Sequence, residues 1–144
     1  MLDSRAKSVW NGSLAEGSGE TTLASGVAPP LPVSWPSRTE SPSDKTSPEE
    51  LIAAAHAACY NMAFSAGLSR AGSPPNTLET DAVASFEQTE AGWRLTRMAL
   101  NVVGDVPGID QEAFAAAAEA AKDGCPVSNA LKGNVQISVN ATLS

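Results

Sequence analysis

The chain has 144 residues, a mass of 14.7 kDa and 42% hydrophobic residues, enough for one domain with a buried core and too apolar for disorder. Acidic residues outnumber basic ones 16 to 9, giving a formal charge of −7, and the scattered Lys and Arg form no basic stripe, which argues against nucleic acid as a partner. No unbroken apolar run approaches the ~18 residues of a membrane span, and residues 1–7 lack a hydrophobic signal core. A cytoplasmic location without a membrane partner is therefore expected. There, a pair of cysteines is more often redox-active or metal-binding than structural.

Ser8-Val9-Trp10 reads as a strand running into Asn11-Gly12, the strongest hairpin turn signal in the chain. A second strand is expected at residues 21–23, after Gly17-Ser18-Gly19. Residues 26–47 are crowded with Pro and Ser, but Trp35 and Arg38 are bulky for a linker, so this stretch is expected to be a packed loop. Ser47-Pro48-Glu49-Glu50 then marks a helix start, with Ser47 as N-cap, Pro48 at N1 and Glu50 closing a capping box. Both carboxylates also suit the positive end of the helix dipole. Leu51, Ala55, Ala58 and Met62 follow at helical spacing, and the helix should reach residues 68–70. Alanine dominates its other faces, which predicts a central helix buried on several sides.

After Gly72-Ser73-Pro74-Pro75-Asn76, two strand-like segments flank Thr89-Glu90-Ala91-Gly92. Trp93, Leu95 and Arg97 share one face, whereas Met98, Leu100 and Val102 need the opposite phase, which predicts a bulge. Asp110 caps a second helix from residue 111 to about 123, ended by Gly124. Cys125-Pro126 reads as N-cap and N1 of a short third helix through residue 131. Val135, Ile137, Val139, Ala141 and Leu143 alternate strictly, a half-buried strand. The order β-β-β-α-β-β-α-α-β describes an α+β domain with antiparallel sheet, a single domain over residues 1–144.

The chemistry rests on two cysteines 66 positions apart, too far for a CxxC motif or a close-set zinc site. Cys59 lies mid-helix among alanines and has no dipole to acidify it, so an active thiol there needs a cation brought from elsewhere. Arg38 is the best donor. Glu49 precedes Cys59 by ten residues, about 15 Å along a helix; should it share the site, an Arg38–Glu49 unit must reach Cys59 from another subunit of a symmetric dimer, whereas a first-turn charge complementing the dipole already explains Glu49. Cys125, at a helix N-terminus, has the better local electrostatics, and these alone name it the nucleophile. Each cysteine is equally readable as a small buried hydrophobe. His56, three residues before Cys59, admits a Cys–His pair but more simply packs against a neighbouring element. With one histidine, a metal site is a weak option.

Together, the run Ser47-Pro48-Glu49-Glu50-Leu51-Ile52-Ala53-Ala54-Ala55-His56-Ala57-Ala58-Cys59 and Gly124-Cys125-Pro126-Val127-Ser128-Asn129-Ala130-Leu131 resemble the OsmC/Ohr family of bacterial thiol peroxidases. His56-Ala57-Ala58-Cys59 and the Val106-Pro107-Gly108-Ile109-Asp110 lead-in to the second long helix look closer to the OsmC branch. The resemblance implies an intertwined homodimer, with antiparallel sheets wrapped around long central helices and two sites at the subunit interface. It implies that Cys59 attacks an organic hydroperoxide and becomes a sulfenic acid, and that Cys125 resolves it as a disulfide. This reverses the order that dipole reasoning gives. Arg38 would then activate Cys59 and the O–O bond, and Glu49 would fix the guanidinium. A dithiol or lipoyl-type reductant would reset the pair, with neither metal nor bound organic cofactor, in an antioxidant stress response. Two alternatives keep the same residues: a thiol–disulfide sensor or exchange protein, and a non-catalytic dimeric module binding an apolar ligand.

Overall fold

Asn11-Gly12 opens a turn, as its sequence demands, in a computed structural model that describes residues 1–40 and 43–144. Ser41 and Pro42, in the predicted Pro-rich loop, lie outside the described residues. Gly12 takes φ +92, a conformation that favours glycine. β1 (Ala6–Asn11) and β2 (Ser18–Leu23) pair antiparallel, Ala6 opposite Leu23 and Asn11 opposite Ser18. The turn occupies residues 12–17, where the Gly17 amide donates to the Ser13 carbonyl at 2.8 Å. β3 (Leu31–Val33) completes this sheet in the order β1-β2-β3. These strands belong to the first of two compact units, Met1–Leu51; the second is Ile52–Ser144.

Where a packed loop was expected, the chain forms a one-turn helix, α1 (Pro36–Thr39), which carries Arg38. Ser34 and Ser37 stabilise it reciprocally, each backbone amide donating to the other's hydroxyl at 3.2 Å. Four residues are too few for helical periodicity to show, so only the Pro-Ser chemistry was legible.

α2 (Pro48–Arg70) begins and ends where its sequence signals place it. The Glu50 amide donates to Ser47 Oγ at 3.1 Å, the first half of the capping box. The second half goes elsewhere: the Glu50 carboxylate accepts from the Thr46 hydroxyl at 2.5 Å. In the single chain, α2 is buried along one line. Its buried line is Ala53, His56, Tyr60, Phe64 and Leu68, while Ala54, Ala55 and Ala58 are exposed and Met62 is 67% exposed. Alanine gives little sense of direction to a helix, and the large side chains choose the inward face. The helix also meets the minimum for a membrane span by length and composition, with mean hydropathy 1.3, although no unbroken apolar run predicted it. Alanine supplies that hydropathy, and Tyr60, Phe64 and Leu68 are spent on a protein core.

β4 (Thr77–Thr89) and β5 (Gly92–Asp105) form a long antiparallel hairpin. Ser85 lies opposite Arg97 and Phe86 opposite Leu95, so Thr96 is the extra residue of the predicted bulge. β6 (Gln136–Leu143) alternates as expected but joins β5 in parallel, which corrects the all-antiparallel expectation. The reason is the connection: α3 (Gln111–Gly124) and α4 (Pro126–Leu131) intervene, long enough to return the chain to the same end of the sheet. Asp110 Oδ1 caps α3 by accepting from the Ala113 amide at 2.8 Å. The α+β class holds, with two three-stranded sheets and one long helix.

The core of the second unit joins Tyr60, Phe64 and Leu68 to Met98, Leu100, Val102 and Phe114. Phe64 and Phe114 rings stand 5.1 Å apart. Gly104 on β5 is where Phe114 leans on the sheet: a Cβ there would lie 2.6 Å from Phe114 Cε2 and 3.0 Å from Leu78 Cδ2. Gly104→Ala should therefore lower stability by about 1–3 kcal/mol through overpacking. A urea titration checks this, and an unchanged midpoint would show that Phe114 has room to yield.

Candidate active site

Helix α2 and the α3–α4 junction bring the two sulfurs together. Cys59 and Cys125 are both free thiols, near enough for each to shift the other's pKa, Cys59 partly exposed and Cys125 wholly buried. Cys125 ends α3 and caps α4 at once. Its amide donates to the Lys122 carbonyl at 3.3 Å, its carbonyl accepts from the Asn129 amide at 3.0 Å, and its sulfur accepts from the Ser128 amide at 3.4 Å.

The two thiols are pushed in opposite directions. Burial raises Cys125, but hydrogen bonds from the Ser128 amide and hydroxyl, the Cys59 thiol and the Val127 amide outweigh it and hold Cys125 below the ordinary thiol range. Cys59 is pushed up, first by burial and then by its hydrogen bond to Cys125 and the charge there; the Val127 amide offsets part of this. None of these influences brings a positive charge to Cys59.

His56 is fully buried, and its Nε2 stands 2.7 Å from Ser128 Oγ. It thus bonds to Ser128, and the Cys59–His56 pairing weighed from sequence is not the bond formed. Burial lowers its pKa, which keeps the imidazole neutral near pH 7. Tyr60 is also buried and donates to the Ala118 carbonyl at 2.6 Å, which ties α2 to α3 just below the thiols. Ser128 and Tyr60 escaped the sequence reading. The spacing Cys125-Pro126-Val127-Ser128 held a signal for the first, because an N-cap side chain meets the amide three residues on.

In the first unit, Arg38 and Glu49 form a fork. Nη2 approaches Glu49 Oε1 at 2.6 Å, and Nε donates to Oε1 and Oε2 at 3.2 Å each. Glu49 is 7% exposed, and the fork meets its buried carboxylate with two donors. The guanidinium also lies 5.4 Å from the centre of the Trp35 ring, a cation–π contact that holds its plane. Beside it opens a cavity of about 520 Å³ whose walls include Trp10, Leu14, Trp35 and Leu51. Glu49 and Cys59 stand ten residues apart on α2, about 15 Å, and do not touch along the helix. Among the described residues, no three or more His, Cys, Asp or Glu converge as a metal would require.

A family model described as OsmC-like protein matches residues 41–140. The chain belongs to the OsmC family. Within it, peroxiredoxin OsmC of Escherichia coli (strain K12) is 38% identical over 136 residues, 94% of either chain. The organic hydroperoxide resistance protein OhrB of Bacillus subtilis matches with a TM-score of 0.73 at 25% identity, covering 96% of this chain and 98% of its own. An organic hydroperoxide resistance protein OsmC from Legionella pneumophila matches in fold with a TM-score of 0.74 at 24% identity, covering 99% and 98%. The OsmC resemblance seen in the two cysteine motifs is thus borne out, and so is the OsmC-like α+β fold.

Proposed function

We propose that this OsmC-family chain is a thiol-dependent peroxidase that reduces organic hydroperoxides to alcohols, working as a homodimer in the reducing cytoplasm. The observation that carries the reading is that two free thiols 66 residues apart lie near enough to shift each other's pKa. The names of the relatives, a peroxiredoxin and an organic hydroperoxide resistance protein, support the substrate class.

The cycle balances as follows. The Cys59 thiolate attacks the distal peroxide oxygen; the O–O bond breaks, and the departing alkoxide takes a proton to become the alcohol. Cys59 is left as a sulfenic acid. The Cys125 sulfur then attacks it, the S–O bond breaks, and hydroxide leaves with a proton as water. A dithiol or lipoyl-type reductant returns the disulfide to two thiols by exchange, itself becoming a disulfide.

In the lone chain Cys125 is the more acidic thiol, so attack by Cys59 requires a cation. The Arg38–Glu49 fork supplies it from a second copy. The exposed Ala54, Ala55, Ala58 and Met62 on α2 suit such a partner, since small residues let two helices approach closely. The apolar walls beside Arg38 suit the organic half of the substrate.

Exposure of the reduced protein to cumene hydroperoxide should consume two thiols per subunit and leave an intramolecular Cys59–Cys125 disulfide, read by thiol titration and peptide mass. Free thiols persisting in excess peroxide would sink the proposal. Faster reaction with a disulfide than with peroxide would favour an exchange protein. Slow, equal labelling of both thiols would favour a ligand-binding module.

A further inference from the structure

His56 is a buried titratable group that the peroxidase cycle leaves without a task. Its surroundings give it one. Nε2 meets Ser128 Oγ at 2.7 Å, while Nδ1 is buried with no hydrogen-bond partner. A proton on Nδ1 would be a buried donor without an acceptor; a proton on Nε2 leaves Nδ1 as a bare acceptor, the cheaper omission. The ring therefore carries its proton on Nε2 and donates to Ser128 Oγ. That commits the oxygen as acceptor and frees the hydroxyl's own proton for its other neighbour, the Cys125 sulfur, whose pKa the Ser128 side chain helps to lower. The Ser128 amide already points at the same sulfur, at 3.4 Å. One residue thus aims two donors at Cys125.

We infer that His56 is a positioning residue for Cys125: through the Ser128 hydroxyl, a neutral imidazole orients a donor toward the sulfur and favours the thiolate form that attacks the Cys59 sulfenic acid. The inference deepens the peroxidase reading by naming what readies the resolving thiol. In that step the thiolate displaces hydroxide from Cys59, and neither His56 nor Ser128 gains or loses a proton.

The other titratable groups at this cluster are few. α2 brings Cys59 and Tyr60, and the Tyr60 hydroxyl is committed to the Ala118 carbonyl. α3 brings Glu119, which acts on Tyr60, Lys122, which pairs with Glu119, and Asp123, which with Lys132 lines the same cavity as Ser128. α4 carries no titratable side chain. The strand residues of the core, Met98, Leu100 and Val102, are apolar. Among the described residues of this unit, the buried polar side chains besides Tyr60 and Cys125 are His56 and Ser128.

The test reads Cys125 directly, in protein whose Cys59 is replaced by serine, so it does not depend on peroxide chemistry. The rate of iodoacetamide labelling is followed against pH. Ser128→Ala and His56→Leu should each slow labelling at neutral pH by about tenfold, as loss of one hydrogen bond to an anion implies. His56→Gln keeps a donor near the Nε2 position and should recover most of the rate. In the ¹⁵N spectrum, His56 should show a protonated Nε2 and a bare Nδ1. An unshifted profile in folded Ser128→Ala, a His56→Gln variant as slow as His56→Leu, or a proton on Nδ1 would each overturn the inference. If His56→Leu does not fold, Ser128→Ala, His56→Gln and the spectrum still decide. If peroxide leaves both thiols untouched while labelling behaves as described, the peroxidase reading fails and the positioning role stands.

Discussion

Replacing Cys59 with serine should stop turnover of an organic hydroperoxide, whereas replacing Cys125 should stop it one step later. A serine hydroxyl is not ionised near neutral pH and cannot displace the alkoxide, so Cys59→Ser is expected to lose on the order of a thousandfold or more in rate. Cys125→Ser leaves the attacker in place. It should release one equivalent of alcohol per site and then stall, with a sulfenic acid at Cys59 that dimedone traps. The pair of outcomes also settles the order of the two thiols. In the lone chain Cys125 is held below the ordinary thiol range and Cys59 is pushed above it. Were Cys125 the attacker, the trapped acid would sit there in the Cys59→Ser protein and the proposed cycle would be reversed.

The second large effect concerns where Arg38 acts. Arg38→Ala removes the fork that holds Glu49 and leaves a mostly buried carboxylate without its cation, at a cost of about 2 kcal/mol in stability. Arg38→Lys should rescue little, because an ammonium cannot reproduce the two-armed contact. In the dimer proposed here, each Cys59 takes its cation from the partner's copy of the chain. Mixing inactive Cys59→Ser with inactive Arg38→Ala should then restore activity, since one of the two sites in each heterodimer is complete. Random exchange of subunits gives about a quarter of the wild-type rate. Activity that stays absent after confirmed exchange would place Arg38 and Cys59 of one site in a single chain, or Arg38 outside the site.

What could be read from sequence was local. Ser47-Pro48 and Asp110 mark helix starts because each supplies a hydrogen bond within three residues, and α2 and α3 begin there. The phase break between Leu95 and Met98 announced the Thr96 bulge, because side-chain direction alternates along a strand. The less legible features depend on contacts distant in sequence. The parallel return of β6 is fixed by the α3–α4 crossover and not by anything within residues 136–143. The inward line of α2 was hard to read because alanines repeat at every spacing, and only Tyr60, Phe64 and Leu68 separate one face from another. At the site, the cysteine motifs named Cys59 and Cys125, charge reasoning named Arg38, and its pairing with Glu49 was implied by the family resemblance. The His56–Ser128 bond spans 72 positions and leaves no trace in either segment alone.

The nearness of the sulfurs has an energetic consequence as well as a chemical one. A disulfide between Cys59 and Cys125 ties a loop of 66 residues, which in the unfolded chain forfeits freedom worth on the order of 4 kcal/mol. In the proposed cycle, oxidation would therefore toughen the fold and leave the reduced form the softer of the two. The same quantity reappears as resistance to reduction: it lowers the potential of the couple by roughly 90 mV relative to an unconstrained dithiol. In the proposed cycle, the reductant would have to be strong enough to untie the loop, which favours a dithiol that closes its own ring over a single thiol.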